Sequence, residues 1–190
     1  MKVDVSMLDC QVAILENAIA RYVATGDVPG PLGSRHPSIA PFAAFATRDG
    51  HIVIAAGTDA LFARISRVLG KPELARDARF KTNPDRVAHW QALQVELESA
   101  LAARASKEWL ALLEAEGVPC APINTVADVV ADPQVHARNM IVTAEDPELG
   151  ALRMQGNPIK LSSYDDPATR RSAPDLDADR EAILKWLGLH

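Results

Sequence analysis

An α+β fold with antiparallel hairpins and packed helices is predicted by three features of this 190-residue sequence. Two tight-turn signals, Arg48-Asp49-Gly50 and Asp146-Pro147-Glu148-Leu149-Gly150, each sit between short runs of strand-forming residues. Helical-period apolar stripes lie between these hairpins and do not alternate with single strands, which argues against a doubly wound parallel sheet. With 48% hydrophobic and 24% charged residues, the composition is that of a chain able to bury a core.

The elements follow in order. Lys2 to Val5 reads as a short strand with no earlier element to pair with, so a later segment must pair with it or its partner lies upstream. Ser6 is placed as a helix N-cap with Asp9 three residues on, and Val5, Leu8, Val12, Leu15 and Ile19 follow helical spacing up to Gly26. Asp27 to Ile39 (DVPGPLGSRHPSI) is rich in Gly and Pro and has no period, hence a loop. PFAAFATRDGHIVIAA is the clearest hairpin. Thr58 caps the next helix, whose Leu61, Ile65 and Val68 share a face, and Gly70 ends it. One long helix is expected from about Asp85 to Ala105, with Trp90, Leu93, Leu97 and Leu101 as its stripe. A further helix starts at Ser106 and carries Trp109, Leu110 and Leu113.

GVPCAPI reads as a buried strand edge whose prolines restrict pairing. Thr125 opens a short helix to about Val130, and Pro133 another to about Asn139. Met140 to Thr143 and Ala151 to Met154 form the second hairpin, with Asn157 to Ser162 continuing that sheet. SSYDDPATRRSAPD reads as a polar tail or linker, and Asp177 to Leu187 as the last helix.

Charge and motifs exclude several function classes. The net charge of −5 and the lack of a basic block argue against nucleic-acid binding. No apolar run is long enough to span a bilayer, and no secretion signal is seen, so no membrane role is expected. Cys10 and Cys120, widely spaced, suggest a reducing cytoplasm and read as small core residues. HExxH, paired cysteines, a Walker loop, GxGxxG and GxSxG are all missing, so neither a metal nor a permanently bound cofactor is expected. His51 reads as an exposed strand residue, His89 as packing or solvent-facing, His136 as a structural hydrogen-bonding group, and His190 as disordered. The remaining candidate is the loop Gly33, Ser34, Arg35 and His36. Its glycine, hydroxyl, fixed cation and imidazole could contact a phosphate or carboxylate, and they suit a solvated connector as well. No residue is assigned as catalytic from spacing.

A resemblance adds what spacing does not. DVSMLD resembles the strand-to-helix passage that follows the central glycine-rich segment of family III CoA-transferases, the CaiB/BaiF-like group that includes carnitine dehydratase-like proteins and α-methylacyl-CoA racemases. GSRHPSIAPFAAFATRDGHIVIAA resembles the family's loop and "aPy..f.t.DG.i.i" strand pair, and LGKPELARDARFKTNPDRVAH its "lg.peL..d.rF.t...R" stretch. EWLALLEAEGVPCAPINTVADVVADPQVHARNM, GNPIKLS and APDLDADREAILKWLG follow in the family's order, so the similarity covers essentially the whole chain.

The resemblance implies the C-terminal portion of such an enzyme. Residues 1–32 would be a helix and linker belonging to a Rossmann-like large domain, 33–145 a small α+β domain, and 146–190 a return segment and helix. The family's nucleophilic aspartate lies upstream of the DVSMLD-like passage, and Asp4 does not match it. The implied partners are an acyl-CoA and a small carboxylic acid, with a CoA thioester as substrate and with an interlocked homodimer or the upstream half as protein partner. The implied chemistry is a covalent relay. The carboxylate attacks the donor thioester to give a mixed anhydride, and CoA thiolate returns to form an aspartyl-CoA thioester. That thioester hands CoA to the acceptor acid, with backbone donors stabilising the oxyanion. Where transferases can carry a Gly-rich loop that closes over the site, GSRHPS has one glycine, and the implied role is to place Arg35 or His36 near the acceptor's carboxylate. A racemase fragment and a non-catalytic companion subunit are the alternatives.

Overall fold

The computed structural model describes residues 4–189. The chain forms two compact units, Met1–Ile123 and Asn124–His190, with no helix among the described residues long and apolar enough to cross a membrane.

The first unit begins with helices α1 (Met7–Ala13) and α2 (Glu16–Thr25). Most of the expected Lys2–Val5 strand lies outside the described residues, and Asp4 and Val5 are not in a strand. Ser6 caps α1 as expected, its Oγ accepting from the Asp9 amide at 3.4 Å. The single helix expected up to Gly26 is interrupted, because the Leu15 amide bonds Val12 O at 3.1 Å and breaks the i to i−4 ladder. Gly26 closes α2 in the left-handed conformation (φ 76°). Neither helix buries a residue, so Cys10 is exposed and is not a core residue.

The sheet of this unit has the order β1 (Phe42–Ala46), β2 (His51–Ala55), β3 (Cys120–Pro122), all antiparallel. Phe42 pairs Ala55 and Ala46 pairs His51 around the Arg48-Asp49-Gly50 turn, closed by Thr47 N to Gly50 O at 2.9 Å. Alternation buries Ala43, Phe45, Ile52 and Ile54 on one face. The third strand forms, but it is not buried: Cys120 is half-buried and Ala121 and Pro122 are exposed, as an edge that tolerates proline must be.

Helix α3 (Asp59–Val68) starts at the Thr58 cap, and a 3-10 turn follows at Pro72–Arg76. The long helix expected from Asp85 is two helices, α4 (Asn83–Ala88) and α5 (Trp90–Leu101). They are separated at His89 (φ −106°, ψ 32°), whose Nδ1 lies 2.9 Å from the Asp85 carbonyl that its own amide also uses. A capping box between Thr82 and Asp85 starts α4 two residues before the expected point. The stripe holds: Trp90, Leu93, Leu97 and Leu101 are buried against Phe45, Phe62, Ile65 and Phe80 in one core. Helix α6 (Ser106–Ala115) adds Trp109 and Leu113 to it. Asp49 in the hairpin turn accepts from Ser106 N (2.7 Å) and Oγ (3.0 Å), tying the turn to the start of α6.

The second unit opens with α7 (Val126–Ala131), which has a Thr125–Asp128 capping box, and α8 (Pro133–Ala137), capped by Asp132. Its sheet has the order β5 (Gly150–Gln155), β4 (Ile141–Asp146), β6 (Thr169–Arg171). The β4–β5 hairpin is antiparallel as expected, running from Ile141 opposite Gln155 to Asp146 opposite Gly150. Residues 157–162 do not extend this sheet. The third strand comes from the stretch read as a linker and runs parallel to β4, with Thr143 opposite Thr169. Thr143 N donates to Ala168 O at 2.8 Å and Ser172 N to Glu145 O at 3.3 Å, and the turn before the strand is braced at Asp166: Arg170 donates to its carboxylate at 2.6 Å, Lys160 also bonds it, and Asn139 donates to its carbonyl at 2.7 Å. Helix α9 (Arg180–Trp186) ends the description, inside the expected range.

Candidate functional site

The loop Gly33–Pro41 is folded onto β1 and the start of α4. Gly33 turns through the left-handed region (φ 64°), which suits a residue without a Cβ. Ser34 Oγ accepts from Ala44 N at 3.1 Å, and His36 N donates to Phe42 O at 2.8 Å, so the loop closes on the strand it leads into. The His36 ring stacks on Phe42, with centroids 5.4 Å apart and planes at 9°. Its Nδ1 accepts from the Ser38 amide at 3.2 Å. The Arg35 guanidinium lies 5.8 Å from the centroid of the Trp90 ring. Among the described residues, no carboxylate lies within ion-pair distance of Arg35. The four residues singled out in the sequence are thus on one ordered turn, with Gly33 and Ser34 exposed and Arg35 and His36 half-buried.

Two residues of the NPDR stretch not singled out as site candidates from the sequence, Asn83 and Arg86, hold the far side of this loop. Asn83 Oδ1 accepts from Ala40 N at 2.9 Å, and its Nδ2 donates to Ser38 O at 2.8 Å. Arg86, fully buried, donates from Nε to Ala40 O (2.6 Å), from Nη1 to Phe80 O (3.0 Å), and from Nη2 to Gly57 O (3.0 Å) and Asp59 Oδ1 (2.8 Å). Its guanidinium carbon also lies 4.7 Å from the Phe62 centroid. Arg86 falls on the last marked position of the "lg.peL..d.rF.t...R" pattern, and its i, i+3 spacing from Asn83 puts both on one face at the start of a helix. Beside them, Ile39, Phe42, Ala55, Gly57, Thr58 and Asn83 line an open, mainly apolar cleft of about 450 Å³. A Cβ on Gly57 would overlap Ile39 Cγ2.

The other titratable groups are engaged elsewhere. His51 is exposed at the start of β2, and His136 Nε2 lies 2.8 Å from Val130 O, each in the role expected of it. His89 is exposed, and His190 lies outside the described residues. Hydrogen bonds from the Ser106 amide and hydroxyl hold Asp49 below the ordinary carboxylate range, and those from Leu149 and Glu148 amides do so for Asp146. Thr82 lowers Asp85 and Thr125 lowers Asp128 in the same way. These are caps and turn acceptors, not bases poised near neutrality. Burial pushes the Cys120 thiol up, away from nucleophilic use. Among the described residues no group of three or more His, Cys, Asp or Glu is placed to hold a metal. The arrangement can do one thing chemically: present a cation and an imidazole to an anion.

The chain is 43% identical over 183 residues to the acetyl-CoA:oxalate CoA-transferase of Acetobacter aceti, covering 96% of this chain and 46% of that protein. It is 34% identical to the human succinyl-CoA:glutarate CoA-transferase, covering 96% of this chain and 42% of that one. The crystal structure of a CAIB/BAIF family protein from Brucella suis matches with a TM-score of 0.77 and 40% identity, over 98% of this chain and 48% of that one. The chain spans about half the length of the curated relatives it matches. The family model for CoA-transferase family III matches residues 1–180, and the chain belongs to that family.

Proposed function

We propose that this chain supplies the C-terminal portion of a CoA-transferase that moves CoA from an acyl-CoA donor to a small carboxylic acid. The nucleophilic aspartate of the relay comes from polypeptide corresponding to the rest of the relatives' length. The observation that carries the acceptor side of this reading is the Arg35 guanidinium. It lies 5.8 Å from the Trp90 ring centroid on an ordered loop beside His36, without a carboxylate partner among the described residues. A guanidinium kept in that state suits a ligand carboxylate, which it can meet with two parallel hydrogen bonds. The names of the relatives, which act on oxalate, glutarate and mesaconate, support transfer to an acid over racemisation. The exposed Val5, Leu8, Val12, Leu15 and Ile19 support pairing of the first two helices with the remaining portion of such an enzyme or with a second copy. Two free thiols support a cytoplasmic setting.

The test is a chimera in which this chain replaces the matching C-terminal part of the Acetobacter aceti transferase. The expected result is CoA transfer from acetyl-CoA to one or more small dicarboxylic acids, with Arg35→Ala raising the acceptor KM far more than the donor KM. A folded chimera without transfer, or unchanged acceptor kinetics in Arg35→Ala, would refute the reading.

A further inference from the structure

We propose that Asn83 is a positioning residue for the acceptor acid, acting through Ser38 on the tautomer and aim of His36. The inference rests on the reading of the Gly33–His36 loop as the acceptor-facing segment. Asn83 stands at the first turn of α4, yet that turn is already capped by Thr82 and Asp85, so the helix start does not need its side chain. Both of its polar atoms are used on a segment more than forty residues away, Oδ1 by Ala40 N and Nδ2 by Ser38 O.

The Ser38 peptide is the relay. Its carbonyl accepts from Asn83, and its amide donates to His36 Nδ1. An Nδ1 that accepts a backbone N–H carries no proton, so the proton of the neutral ring sits on Nε2. Stacking on Phe42 sets the ring plane. The ring therefore has one donor, Nε2–H, on the same turn as the Arg35 guanidinium, and a carboxylate needs donors of that kind.

Two readouts test this. The first uses the chain itself, labelled with nitrogen-15 at histidine, at mildly alkaline pH. The wild-type His36 ring is expected in the Nε2–H form, and Asn83→Ala is expected to give a mixture of tautomers in a chain that stays folded with a thermal midpoint lowered by several degrees. Asn83→Asp keeps the acceptor for Ala40 N and loses the donor to Ser38 O, so it should disturb His36 as Asn83→Ala does. The second readout uses the chimera described above, in which Asn83→Ala should raise the acceptor KM about tenfold, the effect of one positioned hydrogen bond, with the donor KM unchanged. A single Nε2–H tautomer in both variants overturns the link from Asn83 to His36, and an unchanged acceptor KM overturns its role in acid binding. An inactive wild-type chimera refutes the transferase reading, whereas a tautomer that still follows Asn83 upholds the positioning link, so the two failures are distinguishable.

Discussion

Arg86→Met is the perturbation whose size can be worked most directly from the structure. The methionine keeps most of the buried stem and removes every N–H, so the cavity contribution is small and the hydrogen-bond loss dominates. Three main-chain carbonyls, of Ala40, Phe80 and Gly57, lose a donor at 2.6–3.0 Å. At the low end of the penalty for an orphaned buried acceptor, about 1 kcal/mol each, they lose about 3 kcal/mol together. The contact with the Phe62 ring adds about 1 kcal/mol. The expected destabilisation of the first unit is about 4 kcal/mol, or roughly 2 M in urea midpoint for a slope near 2 kcal/mol/M. Urea titration followed by tryptophan fluorescence would measure it, since Trp90 and Trp109 are buried in this unit, whereas Trp186 is already exposed. Asp59→Asn is the control. The Asp59 side chain is 62% exposed, so its share of the ion pair should stay below about 1 kcal/mol. A loss under about 1 kcal/mol for Arg86→Met, or an equal loss in Asp59→Asn, would refute the claim that the carbonyls depend on Arg86.

Leu97→Ala, in the zero-exposure core, should cost about 2–5 kcal/mol, whereas Leu8→Ala, 70% exposed, should stay within about 0.5 kcal/mol; denaturant midpoints of the two variants decide this. Gly57→Ala should cost about 1–3 kcal/mol by overpacking against Ile39, and Ile39→Ala in the same chain should recover part of that, a coupling a double-mutant cycle reads directly. Asp49 is held below its ordinary value of 3.8 by hydrogen bonds from Ser106, so its contribution is present above that pH and is lost as pH falls through the lowered value. Thermal melts between neutral pH and pH about 3 should show Asp49→Asn with a shallower acid loss than the wild type.

What the sequence could and could not reveal follows the range of each interaction. The Trp90-Leu93-Leu97-Leu101 stripe and the Asp-Gly turn are local signals, and both elements stand where periodicity and turn chemistry put them. The break at His89 depends on an imidazole taking an interest in the carbonyl four residues back, which apolar spacing does not register. Strand β6 has no apolar alternation at all; it pairs with β4 through the backbone alone, and the bonds of Asp166 to Lys160, Arg170 and Asn139 brace the turn that leads into it. Cys10 shows the limit of residue-type statistics, because a thiol can be buried only where its helix packs on something. In the site, the residue types of Gly33, Ser34, Arg35 and His36 were legible, but their support comes from Asn83 and Arg86, more than forty residues further along the chain.

That support explains why a loop without any periodicity is ordered. Fixing Ser38, Ile39 and Ala40 costs about 1–2 kcal/mol each in backbone entropy. Four hydrogen bonds act on this segment: one from Asn83 to Ser38 O, one from Ala40 N to Asn83, one from Arg86 to Ala40 O and one from Ser38 N to His36. At about 1 kcal/mol net each, they offset most of that cost. The ordering is therefore settled on folding, and under the proposed acceptor role of this loop it does not have to be met on binding an acid. A loop left free would weaken binding by the cost of its own ordering, which at about 1.4 kcal/mol per factor of ten would erase two or more orders of magnitude in affinity for a ligand as small as a dicarboxylate. A small acid offers few contacts with which to compensate, so a site for it gains most from a turn fixed beforehand. The buried Arg86 and the two-handed Asn83 are placed to fix the turn that carries Arg35 and His36.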